Sequence, residues 1–215
     1  MSKIKTVGIV GTGVIGTGWI IRNLAHNKIV HAYDQNKNLK SYVLKEIRRT
    51  SKSIKKLFGK KILIKNLKFF NSLEKALVNV DFVQESVLEN YKVKTHLIRK
   101  ISKYVKSDVI ISSSSSGLLP SKIFSKSKNP QRGIIGHPFN PAYLLPAVEI
   151  VPGKKTTKKF LLDANKYYKS ISMKPIMLKK ELPGYLSDRL QEALWREGLH
   201  IINENYATTQ ELDRA

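Results

Sequence analysis

Short apolar runs alternate with stretches whose apolar residues recur at helical spacing along most of this 215-residue chain. "IKTVGIVG" (residues 4–11) has the profile of a buried strand ending in glycine, and "VIGTGWIIRNLAHN" after it carries a helical pattern. "KIVHAYDQ" (28–35) predicts a second strand ending in an acid, and a long basic helical pattern follows to about residue 58. "NLKFFNS" and "VDFVQES" predict short strands, with the helical "LEKALVN" between them. "NYKVKTHLIRKISKYV" predicts an amphipathic helix and "DVIISSSSSG" a strand that runs out into serine. The helical "TTKKFLLDANKYYKSI" and the strand-like "KPIMLKK" come last in this series. Strands alternating with helices in this way predict an α/β fold, a mostly parallel sheet covered on both faces.

The pattern changes after residue 182. "ELPGYLSDRLQEALWREGLHIINEN" predicts a new helix, with Pro183 and Gly184 at its start. Residues 1–182 are therefore expected to form one domain, and 183–215 the beginning of an all-helical second one. In "ATTQELDRA", Thr208 followed by Glu211 is a capping-box pattern announcing a further helix barely one turn before Ala215. So short a helix needs something to pack on. The second domain is expected to be truncated here.

Composition narrows the function classes. A hydrophobic fraction of 41% excludes a disordered chain. The absence of cysteine excludes disulfides, thiolate metal sites and a cysteine nucleophile, and no metal is expected. The apolar N-terminal run is broken by Gly8, Gly11, Gly13 and Gly16, unlike a signal peptide, and no stretch is long enough to span a bilayer. A cytoplasmic protein without membrane attachment is expected. The net charge of +23 raises the question of a nucleic-acid partner. Most of that charge is lysine scattered along the whole chain, so no specific nucleic-acid function is expected.

Gly11, Gly13 and Gly16 form G-x-G-x-x-G, with Val14 and Ile15 between the last two. The motif follows a predicted strand, opens a predicted helix and precedes a strand ending at Asp34, the context that marks a Rossmann-type dinucleotide site. Gly11 permits the tight turn, Gly13 lets the backbone approach a pyrophosphate, and Gly16 allows close helix–strand packing. Asp34 can accept hydrogen bonds from ribose hydroxyls and would repel a 2′-phosphate, so NAD is expected rather than NADP.

"GHPFNPAYLLPAVEIV" (136–151) sets one histidine, His137, among three prolines in what reads as a stiff loop, with Glu149 on a predicted strand. Taken alone it reads as a surface histidine near a turn. Beside a dinucleotide site it resembles the signature of the 3-hydroxyacyl-CoA dehydrogenase family. "DFVQESVLENYKVK", the serine loop and "LPGYLSDRL" resemble further segments of that family, from residue 3 to residue 215.

The resemblance implies roles at matching positions. His137 would be the general base, Glu149 its partner, and Ser116 the serine that touches substrate oxygen and cofactor. Asn140 and Glu85 would lie on the cofactor side. Where acyl-CoA members usually carry asparagine this chain has Asp188, whose charge would alter the field at the reacting centre and favour a cationic substrate. The tail and the histidine segment look most like the branch that oxidises the 3-hydroxyl of carnitine. A trimethylammonium group is held by aromatic faces and carboxylates, and Tyr143, Tyr185 and Trp195 are candidates for that enclosure, each equally open to plain packing. A 3-hydroxyacyl-CoA or gulonate-type 3-hydroxy acid dehydrogenase is the alternative, as is a chain that binds NAD yet is catalytically incomplete. The resemblance also implies a homodimer built through the helical domain, most of which is expected to be missing here.

Overall fold

The computed structural model describes residues 4–215. Eight strands form one sheet in the order β3-β2-β1-β4-β5-β6-β7-β8. These are β1 (Thr6–Val10), β2 (Ile29–Tyr33), β3 (Leu67–Phe70), β4 (Phe82–Glu85), β5 (Ile110–Ser113), β6 (Gly133–Pro138), β7 (Ala147–Pro152) and β8 (Lys174–Met177). The first six in space run parallel, β6 and β7 pair antiparallel, and β8 lies parallel to β7. The expected mostly parallel, doubly wound sheet is present.

The strands read as nearly unbroken apolar runs because both faces are covered. Val7, Ile9, Phe82, Ile110, Ile134, Val148 and Ile150 point into one core, under α1 (Val14–Ala25), α2 (Leu39–Phe58) and α6 (Lys158–Ser170). Their neighbours Val10, Val83, Ile111, Ile135 and Val151 point into the other, with α3 (Leu73–Leu77), α4 (Tyr91–Tyr104) and α5 (Pro120–Ile123). The period of two along each strand sends alternate residues to opposite cores. The basic helix α2 buries Val43, Ile47, Thr50 and Ile54 in one stripe and turns its lysines to solvent.

The chain runs outward from β1 to β3, then returns to β4 on the other side of β1. At such a switch point the two loops leave the sheet in opposite directions and open a crevice at the carboxyl ends of the strands. Gly11 follows β1, Glu85 ends β4 and Ser113 ends β5 on that edge.

Two readings of the sequence need correction. His137 does not sit in a loop: it lies in β6, because its backbone is paired with Glu149 of β7 and the prolines fall at or beyond the strand's end. Pro183 and Gly184 lie in a turn before the new helix, and α7 (Ser187–Asn203) starts later. Gly184 at φ +71° and Tyr185 at φ +48° take the chain through left-handed backbone there, which delays helix geometry by two residues. The final helix, α8 (Thr209–Arg214), has the capping box of Thr208 and Glu211. No residue of α7 is buried, and Leu190, Leu194 and Trp195 stand exposed on it. Among the described residues no helix is long and apolar enough to cross a membrane.

Candidate active site

The glycine loop forms the floor of the crevice. Gly11 has φ +89°, and a Cβ there would sit 2.6 Å from the carbonyl oxygen of Ser86. A Cβ on Gly16 would fall 1.8 Å from the Gly11 carbonyl oxygen, so α1 can approach β1 this closely only with glycine. Gly13 faces open space, leaving the backbone reachable by a ligand. Gly13 caps α1 without a side-chain hydrogen bond and the first turn holds no acid, so the N–H groups around Val14 and Ile15 suit an anion. Asp34, just past β2, accepts from the Thr12 N–H at 2.6 Å and from the Asn36 N–H at 2.9 Å. It ties the glycine loop to the end of β2. The residues present fit a dinucleotide.

His137 and Glu149, twelve residues apart in sequence, stand directly opposite each other in the β6–β7 ladder. Directly opposed residues share a face of the sheet, and His137 Nδ1 lies 2.8 Å from Glu149 Oε2. Glu149 is fully buried and His137 is 8% exposed. The same carboxylate accepts from the Ser187 hydroxyl at 2.6 Å, the Leu186 N–H at 2.9 Å and the Ser187 N–H at 3.1 Å. Burial pushes the Glu149 carboxyl up, but the bonds from His137, Ser187 and Leu186 together outweigh it and hold the group below its ordinary range. A carboxylate on Nδ1 leaves Nε2 as the imidazole nitrogen that can take up a proton.

Around this pair the crevice wall is built of hydroxyls and charges. Ser112 and Ser113 are buried at the end of β5; Ser113 donates to Glu85 Oε2 at 2.5 Å, and Ser112 shares a hydrogen bond with Tyr168. Ser114 accepts from Trp19 Nε1 and Gln84 Nε2. Ser115 donates to Glu89 Oε1 at 2.5 Å, and the Ser116 N–H donates to the same oxygen, leaving Ser116 exposed at the loop's tip. Glu85 has no exposed side-chain surface: Lys94, the Val87 N–H and Ser113 occupy its carboxylate. It therefore organises the loop after β4. Lys94 also contacts Glu89 at 3.5 Å, joining that loop to the serine loop.

The loop 139–146 between β6 and β7 carries Asn140, exposed, and Tyr143, half-buried. Arg22 of α1 pins this loop by donating to the carbonyls of Ala142 and Leu145, each at 2.8 Å. Burial pulls the Arg22 guanidinium down to about 10. Tyr143 leans on the core and meets Arg49 of α2 through its hydroxyl. Tyr185 is fully buried with its ring 5.5 Å from that of His137, and it donates to the Leu118 carbonyl. Trp195 is 64% exposed on α7. Asp188 lies in the first turn of α7, half-buried, next to the residue that reaches Glu149.

Ser187, Glu89, Lys94 and Arg22 were not anticipated from the sequence. A signal existed for two of them. Lys94 stands in the apolar stripe of α4 with Ile98 and Ile101, and Arg22 is the one charged residue of α1. A long cation in such a position needs a buried partner.

The chain matches the family described as 3-hydroxyacyl-CoA dehydrogenase, NAD binding domain, over residues 6–182. It is 43% identical over 213 residues to L-carnitine dehydrogenase of Oceanobacillus iheyensis, covering 99% of this chain and 69% of that one. To L-carnitine dehydrogenase of Pseudomonas putida it is likewise 43% identical, covering 100% and 67%. The chain thus spans about two thirds of the length of these relatives. Among solved structures, FHMPC 5-dehydrogenase, an NAD+-dependent dismutase, superposes with a TM-score of 0.91 at 25% identity, covering 99% of this chain and 69% of that one. The (S)-3-hydroxybutyryl-CoA dehydrogenase of Ralstonia eutropha superposes with a TM-score of 0.86 at 25% identity, covering 97% and 75%. The chain belongs to the 3-hydroxyacyl-CoA dehydrogenase family, NAD-dependent oxidoreductases that act on a CH–OH group.

Proposed function

We propose that the chain carries out the NAD-dependent oxidation of the 3-hydroxyl of L-carnitine to 3-dehydrocarnitine, with His137 as general base and Glu149 as its partner. The observation that carries the chemistry is the buried His137–Glu149 hydrogen bond of 2.8 Å beside a dinucleotide loop. The substrate is supported by relatives at 39–43% identity across nearly the whole chain, each an L-carnitine dehydrogenase.

Bound NAD supplies the hydride acceptor. The chain's own residues do the rest. Gly13 and the first turn of α1 would hold the pyrophosphate on the loop that Gly11 and Gly16 shape, and Asp34 would take the ribose hydroxyls. His137 Nε2 accepts the substrate's hydroxyl proton while Glu149 keeps Nδ1 protonated and stabilises the imidazolium that forms. Ser116, at the exposed tip of its loop, would orient the substrate oxygen, and Asn140 would lie on the cofactor side. The buried Tyr185 ring packs against the imidazole and limits its rotation. We place the domain boundary after residue 182, where the family match ends and α7, with no buried residue, follows.

NADH formation is the test, with purified protein, NAD and in turn L-carnitine, 3-hydroxybutyryl-CoA and L-gulonate, and His137→Ala in parallel. Reduction with L-carnitine alone, lost in the variant, is the expected result. Preference for the acyl-CoA or the gulonate would replace the substrate, and NAD binding without turnover of any of them would refute the activity.

A further inference from the structure

Ser187 belongs to α7, outside the residues that match the NAD-binding family domain, yet it makes two of the four hydrogen bonds to the carboxylate behind His137. The chain is arranged to bring it there. Gly184 and Tyr185, both at positive φ, turn the backbone so that the Leu186 and Ser187 N–H groups converge on Glu149 Oε1. The Ser187 hydroxyl then reaches Oε2, the oxygen that also holds His137 Nδ1. Resting on the dyad reading above, we propose that Ser187 is a positioning residue for the reaction: it fixes the rotamer of Glu149 and shares the oxygen that orients His137, tying the first turn of α7 to the base.

The physical reasoning starts from the carboxylate's oxygens. Oε1 is saturated by two backbone donors, which alone would allow the plane of the carboxylate to swing about that oxygen. The hydroxyl on Oε2 removes this freedom and leaves one direction for the imidazole N–H. It also draws electron density from the oxygen that stabilises the imidazolium, so its removal strengthens the hold of Glu149 on the protonated ring. Around His137 stand Glu149 from β7, Phe139 just past β6 and Tyr185 from the turn, with Ser187 of α7 on the carboxylate. The Tyr185 hydroxyl is engaged with the Leu118 carbonyl, and burial pushes it well above its ordinary range, so it stays neutral through the working pH. Glu89 and Tyr91, from the loop and helix after β4, act on Tyr185 electrostatically. Among these groups Ser187 is the neutral donor on the shared oxygen. Asp188, singled out from the sequence for its charge, is its neighbour on the helix and projects about 100° away around it.

The experiment compares the full chain with Ser187→Ala and Ser187→Thr by long-range nitrogen–proton NMR of the histidine rings, with His137→Gln for assignment. In Ser187→Ala the His137 Nδ1–H signal is expected to move and the ring's titration midpoint to rise. Ser187→Thr, which keeps the hydroxyl, restores both. In steady-state kinetics with L-carnitine, Ser187→Ala lowers kcat roughly tenfold with KM little changed, the lower end of what losing an outer hydrogen-bond partner costs. Spectra and titration of Ser187→Ala superimposable on the wild type would overturn the proposal while leaving the dyad intact. Undiminished turnover by His137→Gln would overturn both. The NMR readout does not depend on turnover, so it decides the role of Ser187 in either case.

Discussion

Replacing Glu149 by glutamine separates the base from the fold. The carboxylate accepts four hydrogen bonds, two on each oxygen. Glutamine has one oxygen and one NH2 to put in their place. With the NH2 toward Leu186 and Ser187 it meets two backbone N–H donors, and two such clashes amount to roughly 2–6 kcal/mol. With the NH2 toward His137 and the Ser187 hydroxyl, both partners can adapt: the hydroxyl rotates to accept, and the imidazole moves its proton from Nδ1 to Nε2. The second arrangement wins. Its cost to stability is the lost charge assistance of four bonds, on the order of 4 kcal/mol before the easier burial of a neutral amide offsets part of it. Its cost to catalysis is larger, because a protonated Nε2 cannot accept a proton. Turnover is expected to fall roughly ten-thousand-fold, as the equivalent carboxylate-to-amide change does in a serine-protease triad.

Three assays check this. Thermal unfolding should remain cooperative, NADH formation with L-carnitine should collapse, and the imidazole nitrogen spectrum should report a proton on Nε2. A pH series adds the sign. The folded-state carboxyl lies below its unfolded value near 4.5, so its stabilisation is fully present above that value. It disappears as pH falls through the lower folded value, and Glu149→Gln should show a flatter acid limb. Near-normal turnover, or a ring still protonated on Nδ1, would refute the tautomer reasoning.

Three further outcomes follow from the same geometry. Gly16→Ala places a methyl 1.8 Å from the Gly11 carbonyl oxygen, so α1 must move off β1; calorimetry should find at least about 2 kcal/mol of destabilisation and weakened NAD binding. Asp34→Ala removes the acceptor that closes the glycine loop and the charge that repels a 2′-phosphate. The ratio of NAD to NADP affinity by titration calorimetry should fall by at least about tenfold. Lys94→Met strands the buried Glu85 carboxylate and should cost about 3–5 kcal/mol in denaturant unfolding, with Glu85→Gln in the same chain recovering part of it.

What the sequence by itself determined is local. The strand-to-helix alternation follows from periods of two and 3.6, which depend only on residues a few positions apart. The dinucleotide loop was legible for the same reason: Gly11, Gly13, Gly16 and Asp34 act through one turn and one neighbouring strand. The capping box at Thr208 and Glu211 spans four residues and needed nothing else.

The tertiary structure decided whatever depends on register and chain reversal. His137 faces Glu149 because β6 and β7 pair antiparallel with those two residues opposed. A shift of one position would have sent the glutamate to the other core. Proline-rich composition suggested a loop at His137, and backbone pairing with β7 overrode it. Glu85 stood out in the sequence for its charge, but only the folded chain brings Lys94 and Ser113 onto its carboxylate. Asp188 stood out in the sequence because it is charged. Ser187 reaches the carboxylate because two left-handed residues before it set where α7 begins, and a neutral serine at that position leaves no mark on local periodicity.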